Sequence, residues 1–287
     1  MPLASTVVSL APTSASATIK PHHKAVLQRQ YSSLRSAITR RLPPGVTKAL
    51  KVLLRPSRTV VLPYPPAYQE DGFATVHNCD FIHDADFKRA YAAGERTGSW
   101  SGNRWRAHVY AWVASQAFRL QGDFVECGVN KGGYARMLYE YLPLAQSPRK
   151  FFLMDTFNGF DDASITQAER ERGIPSAYGY TECFEQVRDT FAPFPNAVLV
   201  RGAIPSTLPQ VPSERVAFLS IDMNCVEPEI AAAEWFWDRM VSGGFILLDD
   251  YGHPLHIAQK QAFDGFVRTR GVKILQLPTE QALIMRP

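Results

Sequence analysis

The stretch with the clearest chemical potential in this 287-residue sequence is a glycine-rich turn, Glu126-Cys-Gly-Val-Asn-Lys-Gly-Gly133. A short apolar run precedes it and an amphipathic run follows it, which predicts a strand, a turn and a helix. Gly128 allows a tight turn, while Gly132 and Gly133 let a ligand approach the backbone where the helix begins. Glu126 would repel a pyrophosphate but would hold a ligand with hydroxyls or an ammonium group. The turn therefore favours S-adenosylmethionine (SAM) over a dinucleotide.

A second acidic residue also suits a nucleoside ligand. The apolar run Lys150–Met154 predicts the next strand, and Asp155 follows it, 29 residues after Glu126. In a doubly wound sheet this acid would lie at the carboxyl end of the neighbouring strand, where it can accept hydrogen bonds from ribose hydroxyls. The long connection over 156–180 is typical of a functional lid. Taken alone, the glycine turn also fits a purely structural turn with a solvated glutamate.

Three further carboxylates form the second group of residues that could do chemistry. The runs Val216–Ile221 and Phe245–Leu248 predict strands; Asp222 follows the first, and Asp249 and Asp250 follow the second. Ligands of open α/β sheets bind at the carboxyl ends of the strands. Three carboxylates that converge there would repel one another unless a cation neutralised them, and oxygen ligands favour Mg²⁺, with Mn²⁺ or Ca²⁺ as alternatives. The other interpretation is that Asp250 caps a turn or helix.

The elements that would position these residues alternate between strand and helix from Gly122 onward, which predicts an α/β fold with a doubly wound sheet. Two final strands over 272–277 and 281–286 would form an antiparallel hairpin. Ahead of the sheet, a helix is predicted over 103–120, with Trp105 and Trp112 on its apolar stripe. The remaining predicted elements are a strand over 197–200 and helices over 80–98, 131–142, 181–192, 227–241 and 257–269.

Composition separates a basic segment from an acidic body. The net charge is +4, yet residues 1–69 hold ten Lys or Arg and no Asp or Glu, so the remainder has a net charge of −6. An acidic body is not typical of a nucleic-acid-binding core. No apolar run reaches the length of about 18 residues that a membrane span requires. The four cysteines have no paired spacing, which indicates neither a zinc site nor a disulfide framework and favours a reducing, cytoplasmic setting.

The basic segment is predicted to be an extension of the acidic body. Residues 1–20 have the composition of a disordered tail, with some similarity to an organelle transit peptide. Residues 24–42 and 46–55 are predicted to be basic helices. Such helices could contact a membrane surface or an acidic partner, and they could equally pack on the protein's own domain or on a second subunit. A proline-rich linker is predicted over 62–69. The resulting division is an extension over 1–71, a helical lid or dimerisation segment over 72–120, and the main domain over 121–287.

In their order along the chain, these motifs resemble those of class I SAM-dependent methyltransferases, and more narrowly the macrocin and mycinamicin sugar O-methyltransferases of the TylF type. The resemblance covers about residues 72–287. The stretch Gln259–Phe266 adds to it. The matching motifs are Glu126–Gly133, Asp155-Thr-Phe-Asn-Gly159, Ser220-Ile-Asp222 and Gly243-Gly-Phe-Ile-Leu-Leu-Asp-Asp-Tyr-Gly252.

The resemblance implies a Rossmann-like, seven-stranded sheet with an antiparallel last strand. It implies SAM contacts from Glu126, Gly128, Gly132 and Asp155, with Gly202 and Ala203 near the adenine, and Mg²⁺ ligands from Asp222, Asp249 and Asp250. Two positions depart from the related patterns. Met223-Asn224 stands where the family commonly has an acid and a tyrosine, and Cys225 stands where metal-dependent catechol methyltransferases have a lysine.

The chemistry expected of this set is methyl transfer to a hydroxyl oxygen. Coordination to Mg²⁺ would lower the pKa of the hydroxyl and orient it for in-line attack on the methyl group. A vicinal diol of a sugar, or of a polyphenol, could chelate the ion. The general base would be Asp250, His253 or His256, since histidine accepts protons near neutral pH. Each histidine also fits an ordinary surface loop.

Two other function classes are compatible with a sheet of this kind. An oxidoreductase that binds NAD or a nucleotide sugar should show a Gly-x-Gly-x-x-Gly turn and a Tyr-x-x-x-Lys motif, and the sequence has neither. A non-catalytic SAM-binding or scaffold protein would use the basic segment for targeting, but the intact carboxylate set disfavours it. The helical segment before residue 121 would suit a homodimer.

Overall fold

The structure, a computed structural model, describes residues 65–287. The first two strands, β1 (Tyr68–Glu70) and β2 (Phe73–Thr75), form a separate hairpin. The other seven are β3 (Asp123–Cys127), β4 (Phe151–Asp155), β5 (Ala197–Arg201), β6 (Val216–Ile221), β7 (Met240–Leu248), β8 (Ile274–Gln276) and β9 (Ala282–Met285). These seven form one sheet in the order β5-β4-β3-β6-β7-β9-β8. The predicted basic helices over 24–42 and 46–55 and the tail over 1–20 lie outside the described residues.

The pairing of the strands confirms the predicted sheet. Strand β3 runs parallel to both β4 and β6, and β6 runs parallel to β7. The last strand, β9, runs antiparallel to β7 and to β8, as expected of the final hairpin. Every residue of β6 is buried, because a central parallel strand is covered by helices on both faces. The carboxyl ends of β3, β4, β6 and β7 therefore meet at one edge.

Eight α-helices accompany the strands in the described part of the chain. The predicted helix over 80–98 divides into a 3₁₀ turn, Asp80–His83, and α1, because the Asp84 side chain accepts a hydrogen bond from the Phe87 amide (2.7 Å) and caps a new helix. The α-helices are α1 (Ala85–Glu95), α2 (Arg104–Phe118), α3 (Gly133–Tyr141), α4 (Gln167–Glu171), α5 (Ile174–Ala177), α6 (Phe184–Phe191), α7 (Val226–Trp237) and α8 (Ile257–Arg270).

Helix α2 packs on the sheet through small side chains rather than through the predicted tryptophan stripe. Ala107, Ala111 and Ala114 are buried, whereas Trp112 is 51% exposed, so its placement in the core was wrong. Small residues let the helix lie close to β6 and β7. Tyr110 fills the space beside them by stacking on Tyr134, with ring centroids 4.4 Å apart. This packing brings the first turn of α2 to the edge where the strands end.

A β-hairpin lies where the linker and the boundary near Gly72 were predicted. Strands β1 (Tyr68–Glu70) and β2 (Phe73–Thr75) pair antiparallel across a turn at Asp71 and Gly72. The Glu70 carboxylate accepts a hydrogen bond from Arg104 Nε (2.8 Å), and the Tyr68 hydroxyl accepts one from the Trp105 amide (2.9 Å). The hairpin is thus fastened to the first turn of α2.

Among residues 65–287, no helix combines the length and the hydropathy that crossing a membrane would require.

Candidate active site

A cavity of about 470 Å³ opens at the carboxyl ends of the strands. Nine of the eleven site residues expected from the sequence line it, and the two that do not are Gly132 and His256. The nine are Glu126, Gly128, Asp155, Gly202, Ala203, Asp222, Asp249, Asp250 and His253. The topology therefore gathers residues that are up to 127 positions apart in the sequence into one site.

The glycine turn keeps two strand ends close together. Gly128 has φ +91°, and a Cβ atom there would lie 1.8 Å from the carbonyl oxygen of Asp222. No larger residue fits without moving the end of β6, so Gly128 sets the distance between the turn and the carboxylates. Gly132 has φ +83° and caps α3, and its missing Cβ makes room for the Phe191 ring rather than for the cavity.

Glu126 is a buried carboxylate with an unused acceptor. It is 2% exposed, and its Oε2 atom has no hydrogen-bond partner. Burial raises the pKa of Glu126 well above its usual range, and the nearby Asp222 and Asp155 add to the effect. A hydroxyl or ammonium donor in the cavity would satisfy this oxygen. The residue therefore fits the polar groups of SAM that its sequence position suggested.

Asp155 organises the glycine turn with the same carboxylate that was expected to hold the ribose. Its Oδ2 atom accepts hydrogen bonds from the amides of Val129 and Asn130, each at 2.7 Å. Its Oδ1 atom accepts from the Phe157 amide (2.7 Å) and the Thr156 hydroxyl (3.2 Å). A ribose hydroxyl would have to share one of these oxygens. The ribose contact stays a prediction.

The three carboxylates at the ends of β6 and β7 form one cluster. Each of Asp222, Asp249 and Asp250 contributes an oxygen, and these atoms all lie within 4.8 Å of one another. Burial raises the pKa of Asp222 to about 7, with the Asp250 charge as the next cause. The Oδ2 atom of Asp250 is buried and has no hydrogen-bond partner. An all-oxygen set with an unused acceptor fits a hard divalent cation such as Mg²⁺.

Arg106, on the first turn of α2, enters the same cluster and was missed in the sequence. Its guanidinium forms an ion pair with Asp249, and its Nη2 atom lies 3.9 Å from Asp250 Oδ1. Burial alone would lower the pKa of Arg106, but Tyr134 and the carboxylates around it raise the pKa above its ordinary value. Arg104, two positions earlier, faces Glu70 instead. Nothing in the local sequence distinguishes the two arginines, because only the packing of α2 decides which one faces the sheet.

Aromatic side chains of the long connection over 156–180 form one wall of the cavity. The rings of Tyr178 and Tyr180 stack at 5.3 Å, with Phe160 against both. The Tyr178 hydroxyl lies 2.7 Å from His256 Nε2, and the Tyr180 hydroxyl accepts a hydrogen bond from Asn224 Nδ2 (3.2 Å). These contacts hold the aromatic wall over the carboxylate cluster.

The two histidines proposed as bases occupy different places. His253 lines the cavity, and its Nε2 atom lies 4.0 Å from Glu280 Oε2. His256 is 2% exposed behind Tyr178, with Nε2 4.0 Å from Asp250 Oδ2, and burial lowers its pKa. Only His253 can reach a molecule in the cavity directly.

Comparison with known proteins places this arrangement in a family. The family model of macrocin O-methyltransferase (TylF) matches residues 106–276. The 8-demethyl-8-(2,3-dimethoxy-alpha-L-rhamnosyl)-tetracenomycin-C 4'-O-methyltransferase of Streptomyces olivaceus is 29% identical over 140 residues, which are 46% of this chain and 54% of that protein. The chain thus spans about half the length of this curated relative.

Two solved structures share the fold. The O-methyltransferase NovP matches with a TM-score of 0.58 at 19% identity, over 69% of this chain and 88% of NovP. The calicheamicin methyltransferase CalS11 matches with a TM-score of 0.51 at 18% identity, over 73% of this chain and 94% of CalS11. Because the family model matches more than half of the chain, from Arg106 through the whole carboxylate cluster, the chain belongs to the macrocin O-methyltransferase family.

Proposed function

We propose that this protein is a SAM-dependent O-methyltransferase that uses Mg²⁺ to methylate a hydroxyl of a sugar or another vicinal diol. One observation carries the proposal: a single cavity holds both the unpartnered Glu126 carboxylate and the three clustered carboxylates. The first suits the polar groups of SAM, and the second suits a divalent cation that a diol can chelate. Family membership argues against the oxidoreductase alternative.

Residues around the glycine turn would hold the cofactor. SAM, when bound, supplies an electrophilic methyl group on a sulfonium. Glu126 would accept hydrogen bonds from its polar groups, Gly128 leaves the backbone accessible, and Gly202 and Ala203 would border the adenine. Asp155 would keep the turn in shape, with any ribose contact shared among its existing partners. Each of these residues lines the cavity.

The cluster of Asp222, Asp249 and Asp250 would hold Mg²⁺, or Mn²⁺ in its place. The ion, when bound, acts as a Lewis acid that lowers the pKa of a coordinated hydroxyl. As the acceptor oxygen takes the methyl group and the carbon–sulfur bond breaks, the hydroxyl proton has to move to a base. His253 is placed for this role because it lines the cavity, and Asp250 is the alternative.

A sugar is the acceptor that the cavity supports best. The flat pair of Tyr178 and Tyr180 offers a surface on which a sugar ring can stack. Eight acidic residues line the cavity against one arginine, which disfavours an anionic acceptor. The Streptomyces relative is named as the 4'-O-methyltransferase of a rhamnosyl compound, and the chain matches about half of that protein. This similarity supports a sugar as the acceptor.

Calorimetric titration with S-adenosylhomocysteine, in Mg²⁺ and in EDTA and with NAD as a control ligand, tests the cofactor. Turnover with a panel of glycosides and catechols then tests the acceptor. We expect Asp222→Asn to abolish Mg²⁺-dependent turnover and to leave binding of the homocysteine product within about threefold, since the carboxylates hold the cation rather than the cofactor. Asp238→Asn, which changes an exposed carboxylate at the end of α7 that does not line the cavity, is the matched control.

Turnover that is equally fast in EDTA, or a loss of S-adenosylhomocysteine binding in Asp222→Asn as large as its loss of turnover, would overturn the cation assignment. Binding of NAD without binding of S-adenosylhomocysteine would overturn the cofactor assignment.

A further inference from the structure

We infer that Arg106 is the internal counter-ion of the carboxylate cluster and that a divalent cation has to displace it from Asp249. The inference rests on the proposed function, because it concerns the cation site of that function. It makes Arg106 a positioning residue whose charge sets how tightly the cation binds.

The contacts of Arg106 place its charge among the proposed ligands. Its side chain is 15% exposed and forms an ion pair with Asp249. The same guanidinium lies 3.9 Å from Asp250 Oδ1 and 3.3 Å from Asp71 Oδ2. Its Nε atom is buried without a hydrogen-bond partner, so part of its donor capacity is unused. The charge is held here by the carboxylates rather than by a complete network of hydrogen bonds.

Both oxygens of Asp249 are engaged in this arrangement. Oδ1 accepts a hydrogen bond from Gln281 Nε2 (3.0 Å), and Oδ2 faces the Arg106 guanidinium. Asp250, in contrast, has an unpartnered Oδ2. A cation that binds all three carboxylates can use Asp250 as it stands, but it must replace a partner of Asp249. Of the two partners, Arg106 is the one that a cation would also repel.

Displacement of Arg106 would affect the wall of the cavity. The first turn of α2 carries Arg106 together with Arg104 and Trp105, which fasten the hairpin of β1 and β2. Asp71, in the hairpin turn, pairs with Arg106 directly and lines the cavity. Occupancy of the cation site is therefore coupled to the segment that closes this side of the acceptor pocket.

The test is Mn²⁺ binding to the full chain without SAM, measured from the loss of the free-ion signal in electron paramagnetic resonance. We expect Arg106→Met to bind Mn²⁺ about tenfold or more tightly than the wild type, since a neutral side chain removes both the competitor and the repulsion. Arg106→Lys keeps the charge and should stay near the wild type. Arg89→Met is the matched control, because it removes a charge that faces Asp86 and Glu140 outside the cavity, and its affinity should not change.

Thermal unfolding in EDTA and in Mn²⁺ measures the stability of each variant. Arg106→Met should unfold at a lower temperature in EDTA, where the carboxylates repel one another, and should gain more from Mn²⁺ than the wild type does. Arg106→Gln, which keeps a donor for Asp249, replaces it if the methionine variant does not fold.

Unchanged or weaker Mn²⁺ affinity in the neutral variants would overturn the inference and leave the proposed function intact. Absence of Mn²⁺ binding in the wild type, the neutral variants and Asp222→Asn alike would overturn both. Mn²⁺ binding in Arg106→Met but not in the wild type would support both the inference and the proposed cation site, because it would mean that Arg106 prevents the cation from binding.

Discussion

At the scale of single residues, the site separates groups that touch a ligand from groups that hold other residues in place. His253 lines the cavity, whereas His256 stands behind Tyr178 and is 2% exposed. Similar spacing after the Asp-Asp pair made the two histidines equal candidates in the sequence. Their different positions give them different expected roles, His253 as the base and His256 as a support for Tyr178.

His253→Gln should lower kcat by about 100-fold and leave the affinity for S-adenosylhomocysteine unchanged, because a general base contributes in the transition state alone. His256→Gln is the matched control and should cost much less rate, since its contact is with the Tyr178 hydroxyl. Steady-state rates and calorimetric affinities of both variants check this. Full kcat in His253→Gln would move the role of base to Asp250.

At the scale of elements, the long connection over 156–180 is fastened to the rest of the site by Glu169. Its Oε1 atom accepts a hydrogen bond from the Val226 amide at the start of α7 (2.8 Å), and its Oε2 atom accepts from the Thr166 amide (2.9 Å). Glu169 is 4% exposed, so both bonds are shielded from water. One carboxylate thus caps α4 and fastens the long connection to α7.

Glu169→Ala should release the long connection locally. Loss of buried hydrogen bonds to a carboxylate costs about 1–3 kcal/mol, which would raise the rate of tryptic cleavage at Arg170 or Arg172 by about tenfold or more. Limited proteolysis followed by mass spectrometry measures the rate at each bond. Glu171→Ala, an exposed glutamate of the same helix, is the control, and equal rates in the two variants would contradict a docking role.

How far the elements could be predicted depends on what positions them. The strands were predicted from continuous apolar runs, and β6 has the predicted bounds, because a strand buried on both faces needs an apolar residue at every position. Helix α2 was predicted within about two residues at each end, but not its buried face. Aromatic residues lie all around this helix, so the pattern could not show that Ala107 and Ala111 face the sheet and that Trp112 faces solvent.

At the scale of the whole molecule, the same limit explains which site residues the sequence revealed. Residues at the end of a strand or directly after it, such as Glu126, Asp222 and Asp249, were predicted because parallel strands must end at one edge. The length of the connection over 156–180 also indicated a segment over the site, and its aromatic residues Phe160, Tyr178 and Tyr180 line the cavity. Arg106 comes from a helix whose approach to that edge depends on side-chain packing. The sequence could therefore predict the floor of the cavity and one segment beside it, but not the contribution of α2.

The distribution of charge along the whole chain supports one further prediction. Residues 1–69 carry ten basic and no acidic residues, while the rest of the chain is net negative. Each basic residue near an anionic surface contributes about 1 kcal/mol of attraction, and salt screens it. We expect the full chain to sediment with phosphatidylserine vesicles at about 50 mM salt, to be released at about 500 mM, and not to bind phosphatidylcholine vesicles.

Two sets of charge-removing substitutions, one in the N-terminal segment and one in the body, test whether the segment causes this binding. Substitution of four basic residues of the N-terminal segment by Gln should abolish sedimentation with anionic vesicles, whereas the same loss of charge in the body should not, because the acidic body is repelled by the surface. Equal loss in the two sets, or binding that salt does not weaken, would show that the segment does not act through its charge. The first set is Arg29, Arg35, Arg40 and Arg41, and the control set is the exposed Lys88, Arg96, Arg172 and Lys273.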